Sequence, residues 1–335
     1  MSVRVVAPCR LHFGLFHVPV DGLTHYPDGR PVRKFGGLGM MIDNPCVTVT
    51  VSRSTDWVAI GPYSTRAIPL AKRVNQRVAA LSEANSTDTD FPASLTTTGP
   101  PEHTGFGVGT SLGMAVARIL SQLVDFPDVW VAEPMEMAGW VGRGQRSGIG
   151  IHGFVGGGFI VDDGKLEDEL PRLGVRLDFP EWWRIVLVRP PTPPAWFGDR
   201  ERIAFTRTRP ADKALSLTDR LRTLAYDTIV PAVRDADFDT FARSIFEFNR
   251  LAGEPFHDDQ GGPYAGAEVA CVIDELIEMG AVGLGQSSWG PTVFAMCRDA
   301  DEAERLAAKA RARFSSATEV TVTAANNTGA RIETL

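Results

Sequence analysis

The sequence predicts an α+β protein of two domains, and three observations carry that reading. At 335 residues the chain is long for a single hydrophobic core. Composition changes near residues 173–181, which puts 1–180 in one unit and 181–335 in the other. The second unit reads strand, helices, strand, helix, strand, the pattern of an α+β sandwich.

In order along the chain, residues 3–7 read as a short strand that leads into Pro8-Cys9-Arg10-Leu11-His12-Phe13-Gly14. In an extended segment Arg10 and His12 share one side, where they are candidate contacts for an anion or carboxylate. The plain alternative is a pair of surface residues. Residues 19–34 are polar and turn-rich, a loop. β-Branched and aromatic residues predict strands at 46–51 and 57–60. Val74, Val78 and Leu81 predict a helix over 71–84, followed by a polar loop over 85–90 and a strand over 94–98.

The chain is organised around residues 100–111, where Gly105, Gly107 and Gly109 alternate with apolar residues and run into a helix. Such a loop brings backbone N–H groups close to an anion, and Thr110 or Ser111 is placed to cap the helix behind it. Leu112, Ala115, Val116, Ile119, Leu120 and Leu123 form that helix's apolar stripe. Its N-terminus would face the loop, with free N–H groups and the positive end of the dipole directed at a phosphate. A glycine-rich turn before a core helix is the bland alternative. Neither a P-loop nor a Rossmann fingerprint fits the spacing.

A second glycine block follows a short helix over 133–142. In it Arg143, Arg146 and Ser147 lie among small residues, and two guanidiniums with access for a ligand point to phosphate or carboxylate recognition. Asp162 and Asp163 close a strand; a solvated turn is the leading reading, and Asp162 is kept as a metal candidate. Residues 183–188 open the second unit as a strand. Residues 190–201, rich in proline with Trp196 and Phe197, are a stiff connector or an aromatic lid. Helices are predicted over 215–236, 238–252 and 264–279, with Asn249, Glu254, His257, Asp258, Asp259 and Gln260 near the second connection as polar-loop or ligand residues. A third glycine block, with Gly285, Gln286, Ser287, Ser288 and Gly290, precedes a strand over 292–297, a helix over 299–314 and a last strand over 319–323.

The net charge of −7, with no basic cluster, argues against nucleic acid or a polybasic membrane contact. Four separated cysteines without metal spacing read as buried free thiols in a reducing compartment. With no apolar leader or span, the expected location is the cytoplasm.

The three glycine blocks, at Pro8–Gly14 with Gly105–Ser111, then 142–162, then 283–291, resemble those of the superfamily of galactokinase, homoserine kinase, mevalonate kinase and phosphomevalonate kinase. The resemblance implies a GHMP-kinase-like fold, with a ribosomal-protein-like N-terminal domain and a ferredoxin-like C-terminal domain. Mevalonate kinase-like members carry a catalytic aspartate where this chain has Gly150 in Ser147-Gly148-Ile149-Gly150. The run Arg143-Gly-x-Arg-Ser-Gly-Ile-Gly150 with 157–162, His103-Thr104-Gly105-Phe106-Gly107-Val108-Gly109-Thr110, and Gly285-Gln286-Ser287-Ser288-Trp289-Gly290-Pro291 are similar to the β-ribofuranosylaminobenzene 5′-phosphate synthase family.

That resemblance implies condensation of phosphoribosyl pyrophosphate with 4-aminobenzoate or 4-hydroxybenzoate, releasing pyrophosphate and CO2, an early step of methanopterin synthesis. It implies Arg143, Arg146 and His103 as catalytic residues and magnesium as the ion accompanying pyrophosphate. The phosphate-binding set would be Gly105, Gly107, Gly109, Thr110, Ser111, Ser147, Arg10, His12, Gln286, Ser287 and Ser288. The expected partners are these small molecules and a second subunit in a homodimer, with no nucleic acid and no membrane. An ATP-dependent small-molecule kinase and a non-catalytic sugar-phosphate-binding protein are the alternatives.

Overall fold

The computed structural model describes residues 2–81, 92–123, 134–192, 198–206 and 210–335. Two long antiparallel strands, β1 (Ser2–His17) and β2 (Phe35–Arg53), form the spine of the first sheet. Val3, Val5, Ala7, Cys9, Leu11 and Phe13 are buried at every second position, the period of a strand with one face covered throughout. The strands predicted at 3–7 and 46–51 are therefore only segments of these two. Pro8 does not end β1, because shifts of register at Pro8/Cys9 and His12/Gly14 absorb the irregularity.

β3 (Val58–Ile60) lies parallel to β4 (Ala93–Thr98), which pairs with β2. β5 (Phe159–Asp162) pairs with the start of β2 and with β6 (Leu173–Leu177). On this sheet pack α1 (Ser64–Leu81), α2 (Val108–Leu123) and α4 (Ile149–Gly156), with α3 (Pro134–Trp140) packed against these helices. The α2 stripe from Leu112 to Leu120 is buried as its spacing requires. α4 was not foreshadowed by propensity, since glycine disfavours helix. Its formation follows from tertiary packing of Ile149 against Met41 and Ile160.

The second sheet has the order β10-β7-β9-β8, from β7 (Arg184–Arg189), β8 (Val282–Gln286), β9 (Val293–Cys297) and β10 (Glu319–Thr323), with every neighbour antiparallel. With helices between β7 and β8 and between β9 and β10, this is the ferredoxin-like arrangement. The helices are α5 (Asp199–Thr206), α6 (Ala211–Thr223), a π turn Leu224–Ile229, α7 (Val230–Arg234), α8 (Phe238–Gly253), α9 (His257–Gln260), α10 (Ala267–Glu278) and α11 (Ala300–Arg313). Asp299 caps α11 by accepting from Glu302 N at 2.8 Å.

The chain crosses from the first sheet to the second between β6 and β7. β10 is not its last strand, because β11 (Arg331–Thr334) returns to pair with β1. One hydrophobic core joins the two sheets, and a second, in which Val186, Val188, Val293 and Ala295 meet α10 and α11, covers the other face of the second sheet. α8 lies between the sheets, burying Phe241, Ile245 and Phe248, and Phe13 of β1 meets Phe294 of β9 at a centroid distance of 5.0 Å.

Cys9 and Cys297 are buried free thiols, with burial pushing the Cys297 thiol up to about 12. Cys271 is exposed, so that expectation fails there: it sits on the outer face of α10, whose inner face buries Val269, Val272, Ile273 and Leu276. Among the described residues no helix is long and apolar enough to cross a membrane. The predicted 85–90 loop and the aromatics Trp196 and Phe197 lie outside the described residues.

Candidate active site

A cleft of about 470 Å³ opens where β1, the glycine loop, the 142–150 block and the 286–290 turn meet. The loop is bolted from both sides. Arg10 N donates to Phe106 O at 3.0 Å, Ser287 Oγ to Gly105 O at 2.8 Å and Thr292 Oγ1 to Thr104 O at 2.6 Å. Gly105 and Gly107 have φ of 97° and 68°, and with Gly109 and Thr110 they line the cleft at the start of α2. α2 begins at Val108, so neither Thr110 nor Ser111 caps it. Ser111 is a second correction: its hydroxyl is buried and donates to Pro8 O at 3.0 Å, away from the cleft.

Cationic side chains close around this loop. A Cβ added at Gly109 would stand 2.7 Å from Arg143 Nη2 and 3.1 Å from Arg66 Nη2, and one at Gly107 would stand 2.7 Å from Arg10 Cγ. Arg143 is held below the usual guanidinium range by burial first and then by Arg66; Arg146 and Arg73 add to the effect and Glu102 opposes it. Its buried Nε has no hydrogen-bond partner among the described residues. Glu102 makes an ion pair with Arg66. An excess of guanidiniums beside an amide-rich loop is the environment of an anion site. The surface reading of Arg10 and His12 is overturned, since both line the cleft and His12 is 6% exposed. Burial, then Arg10, holds the His12 imidazole well below its ordinary range, so it is a neutral hydrogen-bonding group rather than a cation.

Arg143, Arg146 and Ser147 of the second block and His103 of the loop also line the cleft. Asp162 does not. The solvated-turn reading fails, because Asp162 is fully buried and its carboxylate accepts from Gly148 N at 2.6 Å and Gly164 N at 2.8 Å. It fixes the entry to α4 and with it the 143–147 segment. Burial pushes Asp162 up to about 6 despite these donors. Because its folded value lies above its unfolded one, its contribution to stability is full below about pH 4 and is lost as pH rises through 6, on the order of 3 kcal/mol. Denaturant titrations at pH 4.5 and 7 are expected to show this dependence in the wild type and not in Asp162→Asn. Equal slopes in both proteins would refute the assignment.

In the third block Gln286 and Ser288 line the cleft. Gln286 spends its side chain internally, accepting from Ala265 N at 2.7 Å and donating to Ser288 O at 3.0 Å. Ser287 is a correction: it is wholly buried, and besides its bond to Gly105 O it accepts from His12 N at 3.0 Å, which makes it a clasp rather than a ligand. Asn249 is likewise structural, donating to Phe13 O and Gln286 O and accepting from Gln286 N. Sequence reasoning missed Arg66, Glu102, Phe205 and Phe256, all of which line the cleft. Only Glu102, adjacent to the loop, lay where a signal existed.

Among the described residues no group of three carboxylates, histidines or cysteines stands ready for a metal, and the carboxylate in the cleft lining, Glu102, is engaged by Arg66. These donors do not fit a magnesium ion held by the protein.

Comparison with known proteins agrees with this architecture. The GHMP kinases C-terminal family model matches residues 229–316. The chain is 28% identical to the β-ribofuranosylphenol 5′-phosphate synthase of Methanothermobacter thermautotrophicus, covering 98% of both chains. To that of Archaeoglobus fulgidus it is 27% identical, covering 99% of both. Among solved structures it is similar to the putative homoserine kinase from Listeria monocytogenes (TM-score 0.63, 16% identity, 99% of this chain and 100% of that one). It is also similar to mevalonate diphosphate decarboxylase from Staphylococcus aureus (TM-score 0.65, 13% identity, 99% and 98%). The resemblance read from the glycine blocks is thus borne out: the chain has the GHMP-kinase fold, and along its whole length it is similar to the β-ribofuranosylphenol 5′-phosphate synthases.

Proposed function

We propose that this protein is an enzyme that transfers the phosphoribosyl group of phosphoribosyl pyrophosphate to 4-hydroxybenzoate or 4-aminobenzoate, with loss of pyrophosphate and CO2. The observation that carries the reading is the convergence of the glycine loop with Arg10, Arg66 and Arg143 on one cleft. The name of the full-length relatives supplies the product class.

The chemistry needs what this cleft offers. The bond from the anomeric carbon to pyrophosphate breaks with its electron pair leaving on pyrophosphate, where Arg143 and its neighbours stabilise the growing charge. The ring carbon that bears the carboxylate donates a pair to the anomeric carbon. The ring–carboxylate bond then breaks, its electrons restore aromaticity and CO2 departs. No proton is transferred in either step, which accords with a cleft whose lining carboxylate is tied up by Arg66. Magnesium belongs here to the incoming pyrophosphate, not to a resident site. Gly150, at the position of the kinase aspartate, lines the same cleft beside Thr110, and this disfavours the kinase alternative.

Incubation with phosphoribosyl pyrophosphate and carboxyl-labelled 4-hydroxybenzoate or 4-aminobenzoate is expected to release labelled CO2 and pyrophosphate in equal amounts with at least one acceptor. Release with neither overturns the reading. Phosphoribosyl pyrophosphate, and not ATP, is expected to raise the melting temperature, with about 2.7 kcal/mol of stabilisation at a hundred times its Kd.

A further inference from the structure

Part of the cleft lining is aromatic. Phe205, Phe256 and Trp289 line it and touch one another edge to face, with centroids 4.4 Å apart for Phe256 and Trp289, 5.6 Å for Phe205 and Phe256, and 6.1 Å for Phe205 and Trp289. Phe256 is buried, while Phe205 and Trp289 are only half-buried. Arg146 places its guanidinium 5.0 Å over the Phe205 ring. We propose that these three rings, with Arg146 at their rim, form the acceptor subsite, which selects a planar aromatic carboxylate by its π face and its charge. This rests on the phosphoribosyl-transfer reading and adds to it which residues recognise the second substrate.

Three observations support the division of labour. Arg143 sits among Arg66 and Arg73 beside Gly109, where a highly charged pyrophosphate is matched by several cations. Arg146 is exposed and lies on an aromatic face, so a carboxylate meets it together with a ring surface. Half-buried rings facing a cleft keep wet apolar area that a flat ligand covers. Trp289 is also rigidly indexed to the phosphate loop. Ser288 N donates to His12 O at 3.0 Å, and Ser287 holds Gly105, so one turn sets the spacing between the two substrates. Ring faces discriminate flat from puckered ligands but not a hydroxyl from an amine. The subsite therefore accepts 4-hydroxybenzoate and 4-aminobenzoate with similar affinity and rejects 4-hydroxycyclohexanecarboxylate.

Steady-state kinetics of Phe205→Leu, Trp289→Leu and Arg146→Gln test this. Each is expected to raise the KM for the benzoate about tenfold, the loss of one ring or charge contact. KM for phosphoribosyl pyrophosphate should stay within about twofold and Phe205→Tyr should restore the wild-type value, as a retained stacking face requires. The phosphoribosyl pyrophosphate-induced rise in melting temperature, kept in each variant, shows that the fold is intact. An unchanged benzoate KM, or an equal rise in both KM values, overturns the subsite and leaves the transfer reading standing. If the wild type turns over neither acceptor, that reading fails by itself. Calorimetric titration with 4-hydroxybenzoate then decides the subsite: binding lost in Trp289→Leu supports it, and no binding to the wild type overturns it.

Discussion

Arg143→Ala is expected to lower the rate of pyrophosphate release by roughly a hundred- to a thousandfold, the cost of removing one donor from a developing oxyanion. The same variant is expected to melt no earlier than the wild type in the absence of substrate. Arg143 is largely buried, its Nε is unsatisfied among the described residues, and Arg66, Arg73 and Arg146 all repel its charge. Such a group is a burden on the empty protein, and removing one of several crowded like charges relieves it. Single-turnover pyrophosphate release and melting curves with and without phosphoribosyl pyrophosphate measure both effects. A variant that melts several degrees early yet keeps its rate within tenfold would place Arg143 in the scaffold instead.

The second large effect is expected at Gly290. A Cβ there would overlap Gly105 N and the Thr104 carbonyl carbon, both of them backbone of the phosphate loop. Because backbone cannot rotate away as a side-chain tip does, Gly290→Ala must push the 287–290 turn off the loop and break the bonds from Ser287 and Thr292. Overpacking of this kind costs about 1–3 kcal/mol, and here it also disassembles the anion site. Gly139→Ala in α3 is the matched control, since nothing lies within 4 Å of its added Cβ and the helix gains up to about 1 kcal/mol of propensity. Urea unfolding should separate the two. Equal stability of the two variants would show that loop and turn are not in contact in solution.

The features legible in the sequence were those fixed by local pattern. The α2 stripe, the glycines at 105 and 107, and the alternation over 46–51 in β2 each declare themselves within a dozen residues, and the structure buries or bends them accordingly. The direction of a hydroxyl is not local. Ser111 and Ser287 read as ligands because serine beside glycine so often is one, yet a neighbouring strand and loop captured both side chains. Nor could the charge state of His12 be read from its letter, since it depends on the burial that β1 imposes. Arg66 escaped notice because Pro69, inside the helix Ser64–Leu81, reads as a break in the helical pattern and moves the predicted start beyond it to residue 71. Phe205 and Phe256 carry no motif, and only folding brings them to Trp289.

Two of the contacts that seat the phosphate loop join residues separated by 182 and 188 positions along the chain, and the bond from His12 N to Ser287 behind them spans 275. Pairings so remote are slow to find and form late. In a refolding experiment helical signal is thus expected to return well before the ability to capture pyrophosphate. Between those two moments the protein would be compact but blind to its substrate, and ligand added at the start of refolding would leave the early phase untouched while pulling the last one to completion.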